Sequence, residues 1–248
     1  MPQRELDGLG AIVTGSTGNL GSATAKTLAQ AGAKVLINGR TSQKKAVEIV
    51  EEIENAGGTA LSLMADVTDE ISVKRMIEMA ATEFGRLDIL VNNVGPANKG
   101  PVTAIPYEDW RNIMAQKLDS AFLTIKHAVP YLAQGGRGAI INVGASSAHT
   151  GNPQRSVDVA AKMGLAGLTG SLAVELAPQN ITVNCVAPGR FHKPGTEVSE
   201  HFVNGIPAGR EGDPVEFAET IRFLVGPHSR YTSGQTLHVN GAWYVSIN

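Results

Sequence analysis

The chain has 248 residues, a formal net charge of −2, 42% hydrophobic residues and 18% charged residues. This length fits one α/β domain, and the weak negative charge argues against a nucleic-acid binder, which usually presents a basic face. No leader-like segment precedes the first strand, and no apolar run approaches the length of a bilayer, so we expect a soluble cytoplasmic protein without nucleic-acid or membrane partners. The single cysteine, Cys185, allows no internal disulfide and fits a reducing compartment.

Short apolar or β-branched runs alternate with helical stretches along the whole chain. The predicted strands are GAIVTG, AKVLING, TALSLMAD, LDILVNN, GAIINVG, ITVNCVA and QTLHVN. The first predicted helix begins at about residue 19, and the others cover about residues 42–55, 69–84, 107–132, 154–176 and 214–224. This alternation predicts a single doubly wound Rossmann-type α/β domain over residues 1–248, with about seven parallel strands and helices on both faces. The Gly-, Pro- and His-rich stretch at about residues 190–212 is expected to be a lid or substrate loop.

The first predicted strand runs into the glycine-rich turn TGSTGNLG and then into an Ala-rich helix. Gly15, Gly18 and Gly21 would let the backbone approach a pyrophosphate while the helix N-terminus supplies amide donors. Such glycines can also serve tight packing alone, but their place between the first strand and helix favours a nucleotide site. That site would comprise Gly15, Ser16, Thr17, Gly18, Asn19, Leu20 and Gly21.

Arg40 follows the second predicted strand, where NAD-selective sites usually carry an acidic residue. Its guanidinium could accept a 2′-phosphate, or Arg40 could be an ordinary solvated arginine. We favour the first interpretation, so the sequence predicts NADP(H) rather than NAD(H) as cofactor.

The segment SVDVAAKMGLAG places Asp158 four residues before Lys162 in a predicted helix. Four residues are about one helical turn, so both side chains share a face, and a surface salt bridge would explain the pair.

Five segments, TGSTGNLG, ADVTD, DILVNNVG, NCVAPG and TSGQTLHVNGAW, together resemble the short-chain dehydrogenase/reductase family over essentially the whole chain. The nearest likeness is to its 3-oxoacyl-(acyl carrier protein) reductase-like members. The resemblance implies a small-molecule substrate and a homotetramer or homodimer packed through the helices near residues 107–132 and 154–176. It also implies cofactor contacts at Asp66, Val67, Asn93, Gly95, Lys162, Pro188, Gly189 and Phe191.

The same alignment implies departures at the family's catalytic positions. Asp158 falls on the catalytic tyrosine and Ala145 on the catalytic serine, with Ser146 directly after it. Lys117 occupies a position where the family usually has an asparagine. Lys193 occupies the position of a family threonine that contacts the nicotinamide carboxamide. Of the family's catalytic tyrosine and lysine, the alignment retains only the lysine, as Lys162.

These departures change the expected chemistry. A free aspartate titrates near about 3.9, and a neighbouring cation lowers that value, so we expect Asp158 to be ionised and unable to protonate a ketone.

Three hypotheses remain open. The first is a redox enzyme acting on a small carbonyl, alcohol or enoyl substrate, in which Lys117, Lys162, Ser146 or His192 replaces the missing donors.

The second hypothesis is a non-redox lyase or isomerase that uses Asp158 as a base. The third is a nucleotide-binding pseudoenzyme without turnover, because the fold alone does not imply a reaction. No metal is expected, because His149, His192 and His201 lack the spacing of a metal site.

Overall fold

The computed structural model describes residues 4–95, 99–196 and 203–245. Within these ranges, seven strands form one sheet in the order β3-β2-β1-β4-β5-β6-β7, and every neighbouring pair is parallel. The strands are β1 (Gly10–Val13), β2 (Lys34–Gly39), β3 (Thr59–Met64), β4 (Ile89–Asn92), β5 (Ala139–Val143), β6 (Thr182–Pro188) and β7 (Thr236–Val239). The predicted doubly wound parallel sheet is confirmed.

Helices lie between successive strands, because parallel neighbours must be joined by crossover connections. They are α1 (Asn19–Gln30), α2 (Gln43–Asn55), α3 (Glu70–Phe84), α4 (Tyr107–Met114), α5 (Ser120–Gln134), α6 (Ser146–Thr150), α7 (Ser156–Leu176) and α8 (Pro214–Val225). Local chemistry fixes several ends: Asp213 and Glu216 form a capping box at the start of α8, and Gly85 ends α3 with φ of 75°. The short helix α6 was not predicted from the sequence.

Hydrophobic clusters cover both faces of the sheet. Leu28, Ile49 and Phe217 of α1, α2 and α8 belong to one cluster, and Met76 and Ile125 of α3 and α5 belong to the other. Because side chains alternate along a strand and both faces are covered, the strands are mostly apolar, although Asn38, Asn142 and Asn184 are buried within them.

The predicted helix over residues 107–132 is interrupted. A π-helical turn, Ala115–Asp119, lies between α4 and α5, and it carries the buried Lys117. The expectation of one regular helix is therefore wrong at this point. Such turns are rare and are frequent at functional sites.

The expectation that no apolar run approaches the length of a bilayer is also wrong as stated. Within the described ranges, the helical segment Ser156–Gln179 has 24 residues, and an 18-residue window of it has a mean hydropathy of 1.3, so by length and composition it could cross a membrane. A core helix meets the same criteria, and this segment carries the buried residues Asp158 and Lys162.

The two ends of the expected lid are joined to each other. Phe191 forms a parallel bridge with Gly212, and the His192 amide donates to the Gly212 carbonyl at 2.9 Å. Asn19 Nδ2 of the glycine turn donates to the His192 carbonyl at 2.6 Å. This segment therefore begins against the glycine turn, whereas His201 lies outside the described residues.

Candidate active site

The glycine turn between β1 and α1 has a geometry that glycine residues make possible. Gly15 has φ of 60°, in the left-handed region, and its amide donates to Asn38 Oδ1 at 3.2 Å. A Cβ atom added to Gly21 would lie 2.6 Å from the Gly15 carbonyl oxygen. Within the described ranges, no side chain caps the N-terminus of α1, so its first amides and its dipole fit a phosphate group.

Asn93, after β4, holds this turn against the sheet. Its amide donates to Thr14 Oγ1 at 3.0 Å, and its Nδ2 donates to the carbonyl oxygens of Thr14 and Gly15 at 3.1 and 3.2 Å. The crossovers from β1 and from β4 leave in opposite directions along the sheet, so the crevice at their carboxyl ends is the topological switch point. A nucleotide would therefore meet Asn93 and the glycine turn together.

Two charged side chains meet beyond the carboxyl ends of β2 and β3. Arg40 Nη1 lies 3.8 Å from Asp66 Oδ2, and the Arg40 side chain is 62% exposed. Asp66 Oδ1 accepts hydrogen bonds from the Thr68 amide and hydroxyl at 2.9 and 2.7 Å. Val67 is buried in the core, so a cofactor contact there would come from its backbone.

The stretch after β6 forms the opposite wall of the crevice. Pro188 pairs with Val239 of β7, and the Gly189 amide donates to the Val239 carbonyl at 2.8 Å. A Cβ atom on Gly189 would lie 2.7 Å from Asn240 Cα, which explains the glycine. The Phe191 ring packs edge-on against Phe217, with ring centroids 5.6 Å apart.

A cluster of buried charges lies beside Gly95. The Lys117 ammonium donates to Asp158 Oδ1, with 4% of the lysine side chain and 11% of the aspartate side chain exposed. Lys162 Nζ donates to the Val143 carbonyl at 2.5 Å, at the end of β5. A Cβ atom on Gly95 would lie 3.2 Å from Lys162 Nζ and 3.6 Å from Lys117 Cγ, so glycine makes room for both lysines.

The electrostatics of this cluster differ from a surface salt bridge. Asp158 Oδ2 also accepts a hydrogen bond from Arg155 Nη1 at 3.2 Å, and both Asp158 and Lys162 are buried. The interpretation of this pair as an exposed ion pair is therefore wrong. Burial, together with the charge of Lys117, lowers the pKa of Lys162 to about 8, although Cys185 and Asp158 oppose that shift.

Ser146 is fully buried, and its side chain is hydrogen-bonded to residues of β6 and of the stretch after β7. Its hydroxyl donates to the Ala187 carbonyl at 3.1 Å, Asn240 Nδ2 donates to it at 3.1 Å, and His238 Nδ1 lies 3.3 Å away. This geometry does not favour Ser146 as a donor to a substrate. The next residue, Ser147, lines the open cleft instead.

That cleft lies between the glycine turn, the loop before α7 and the start of the expected lid, with a volume of about 540 Å³. It is lined by Asn19, Leu20, Ser147, Asn152, Arg155, Gly189, Arg190, Phe191, Lys193, Thr196, Glu211 and Trp243. Of these, Asn152, Arg155, Arg190, Thr196 and Glu211 were not singled out from the sequence. One signal for Arg155 was available, because it lies three residues before Asp158 and shares a helical face with it.

His192, the fourth donor considered, lines a different groove between α1 and the N-terminus of α8. Its Nδ1 lies 3.9 Å from Glu211 Oε2. Lys193 lines both that groove and the cleft. Among the described residues, no group of three or more His, Cys, Asp and Glu side chains could hold a metal ion.

The parallel sheet, the glycine turn at its switch point and the uncapped N-terminus of α1 define a nucleotide-binding α/β protein of the Rossmann type. The sequence comparison is more specific: residues 15–243 match the family described as "Enoyl-(Acyl carrier protein) reductase". The chain belongs to the short-chain dehydrogenase/reductase family.

Individual relatives extend this likeness over nearly the whole chain. A 3-oxoacyl-[acyl-carrier-protein] reductase from Staphylococcus aureus is 37% identical over 240 residues, covering 95% of this chain and 98% of the relative. The crystal structure of a dehydrogenase/reductase from Sinorhizobium meliloti 1021 superposes with a TM-score of 0.93 at 32% identity, covering 98% of both chains. A short-chain dehydrogenase from Burkholderia cenocepacia J2315, solved in complex with NADP, gives 0.90 at 30% identity, covering 96% of this chain and 98% of the other.

Proposed function

We propose that the protein is an NADP(H)-dependent oxidoreductase with an atypical active site, acting on a small carbonyl, alcohol or enoyl substrate. The observation that carries the proposal is the position of Lys162. Its ammonium is held on the Val143 carbonyl beside Gly95, at the sheet edge where the glycine turn forms a phosphate cradle. In the family, the lysine at this position binds the nicotinamide ribose.

The cofactor site would be formed by the glycine turn, Asp66, Asn93 and the stretch from Pro188 to Phe191. When bound, the cofactor supplies hydride exchange with the substrate. The exposed guanidinium of Arg40 supports a preference for NADP(H), because it is placed to pair with a 2′-phosphate. The NADP complex of the Burkholderia cenocepacia relative supports the same preference.

In this proposal, Asp158 and Ala145 replace the family's tyrosine and serine, so the proton follows another path. Asp158 accepts hydrogen bonds from Lys117 and Arg155, which makes it an acceptor rather than a proton donor. Lys162, with a pKa of about 8, can hold and release a proton near neutral pH. An enoyl substrate would not require a proton donor from this site, because the hydride goes to carbon and water can supply the proton.

A nucleotide-binding protein without turnover is the second candidate. The pairing of Lys117 with Asp158 favours it, because the two buried side chains neutralise each other beside the expected nicotinamide position. The lyase or isomerase hypothesis is weaker, since Asp158 would have to give up two cationic partners before it could act as a base.

The proposal includes a homotetramer or homodimer. Exposed apolar side chains of α5 and α7, among them Phe122, Met163 and Val174, support an interface along these helices. Sedimentation velocity would measure the state directly, and a monomer at micromolar concentration would contradict this part of the proposal.

Titrating the protein with NADPH and with NADH while following cofactor fluorescence tests the cofactor assignment. We expect NADPH to bind more tightly, and no binding of either at millimolar concentration would contradict the proposal. The same NADPH-loaded protein is then offered ketone and enoyl substrates. Binding without turnover of any substrate would favour the second candidate.

A further inference from the structure

Arg155, at the entry to α7, presents hydrogen-bond donors to the cleft. Its Nη1 donates to Asp158 Oδ2 at 3.2 Å, which fixes one edge of the guanidinium. A guanidinium has five N–H donors, and this carboxylate is the side chain's one hydrogen-bond acceptor in the described part of the chain. The Arg155 side chain is 33% exposed and lines the cleft, so a ligand in the cleft can reach it.

Two neutral polar residues line the same cleft as Arg155. Ser147 lies on α6, and Asn152 lies in the loop that leads to Arg155. The Asn152 carbonyl accepts a hydrogen bond from the Arg155 main-chain amide at 3.2 Å, which fixes the backbone of this loop. The hydroxyl of Ser147 and the side-chain amide of Asn152 are further hydrogen-bond donors of this cleft.

Around Asp158, the positively charged side chains outnumber the negatively charged ones within the described residues. Lys117, Lys162 and Arg155 surround a single carboxylate, Asp158, in a chain whose net charge is −2. Clustered cations in a poorly solvated site repel each other, and the lowered pKa of Lys162 reflects part of that repulsion. An anionic ligand would offset the excess.

On the far wall of the cleft, the charged residues that the structure describes are Arg190, Lys193 and Glu211. Arg190 and Lys193 follow β6, in or next to the stretch assigned above to the cofactor, whereas Arg155 lies at the entry to α7. We therefore assign Arg155 to the substrate rather than to the cofactor.

We propose that the substrate carries an anionic group, a carboxylate or a phosphate, which binds the Arg155 guanidinium with help from Ser147 and Asn152. This inference rests on the proposed function, because it takes the cleft as the substrate site. Planar guanidinium groups bind both anions through paired N–H donors. The cleft volume of about 540 Å³ lies within the usual range of small-molecule sites.

Direct anion binding provides the first test. The NADP⁺-loaded protein is titrated with acetate and, separately, with inorganic phosphate, while the NMR resonance of the Arg155 Nε–H is followed. That resonance is assigned by its loss in Arg155→Gln. We expect one of the two anions to shift the resonance saturably, and the stronger of the two identifies the anion class. If neither anion shifts it, the inference is overturned.

Arg155→Gln and Arg155→Lys then measure the contribution of the guanidinium, with Arg75→Gln as the matched control. Arg75 is exposed on α3 and does not line the cleft. Hydrogen bonds to charged groups are worth enough that Arg155→Gln should weaken the bound anion by about 10- to 100-fold. Arg155→Lys should weaken it less, and Arg75→Gln should leave it unchanged. Equal affinities in wild type and Arg155→Gln would refute the assignment.

Turnover provides a separate readout. NADPH oxidation is compared for acetoacetate against methyl acetoacetate, for crotonate against methyl crotonate, and for dihydroxyacetone phosphate against dihydroxyacetone. We expect the charged member of at least one pair to have the higher kcat/KM, and that advantage to shrink in Arg155→Gln. Turnover of the neutral members alone would overturn the anionic substrate while leaving the oxidoreductase intact. Absence of NADPH binding would instead contradict the proposed function.

Discussion

The pairing of Lys117 with Asp158 predicts a large and specific stability effect. Asp158→Asn keeps the shape of the side chain but removes its negative charge, and it leaves the Lys117 ammonium, with 4% of its side chain exposed, without that counter-ion. Removing one partner of a buried ion pair typically costs about 3–5 kcal/mol. For a chain of this length, that corresponds to a fall in Tm of roughly 6–20 °C.

Thermal and urea unfolding at pH 7 would measure the effect, with Glu78→Gln as the matched control. Glu78 pairs with Lys74 at 3.8 Å on the exposed surface of α3, where such a pair is worth about 0.5 kcal/mol or less. Adding Lys117→Met to Asp158→Asn should recover most of the lost stability, because position 117 then carries no buried charge that needs a counter-ion. If Asp158→Asn unfolds like Glu78→Gln, the reasoning from a buried charge pair is refuted.

Three further predictions concern the cofactor, the titration of the site and its chemistry. Arg40→Asp should shift cofactor preference toward NADH by about tenfold or more in relative affinity, measured by fluorescence titration, and an unchanged preference would reject the phosphate role. The free energy of unfolding of the wild type, compared with that of Lys162→Met, should rise by about 3 kcal/mol between pH 8 and 10.5 in urea unfolding. In this window the lysine is protonated in the unfolded chain and mostly neutral in the folded one. A difference that does not change with pH would contradict a lowered pKa of Lys162. Ala145→Ser with Asp158→Tyr and Lys117→Asn should introduce ketone reduction, since tyrosine at 158 alone would leave Lys117 unpaired. Ketone reduction of the same rate in wild type would show that the native site needs no tyrosine.

Local patterns were sufficient for most of the fold. The apolar runs predicted seven strands, all of which occur in one parallel sheet, because a strand buried on both faces is mostly apolar. The glycines of the first turn were predictable for the same kind of reason, since Gly15 adopts a backbone angle that other residues rarely adopt. The π turn at Ala115–Asp119 was not, because no residue type in AQKLD marks it.

The candidate site required the tertiary structure. Helical periodicity placed Asp158 and Lys162 on one face, but it could not show which element packs against that face. One partner of Asp158 is Lys117, which lies 41 residues away in sequence and within the π turn between α4 and α5. Side-chain direction likewise separated Ser146, which is bonded on the β6–β7 side, from Ser147 in the cleft.

The sequence by itself therefore determined the strands of the sheet, the glycine turn and the shared helical face of Asp158 and Lys162, because each follows from residues close together in the chain. The tertiary structure alone decided that Asp158 neutralises a second lysine and that Arg155 faces the cleft, because these contacts join separate elements packed on the same sheet edge.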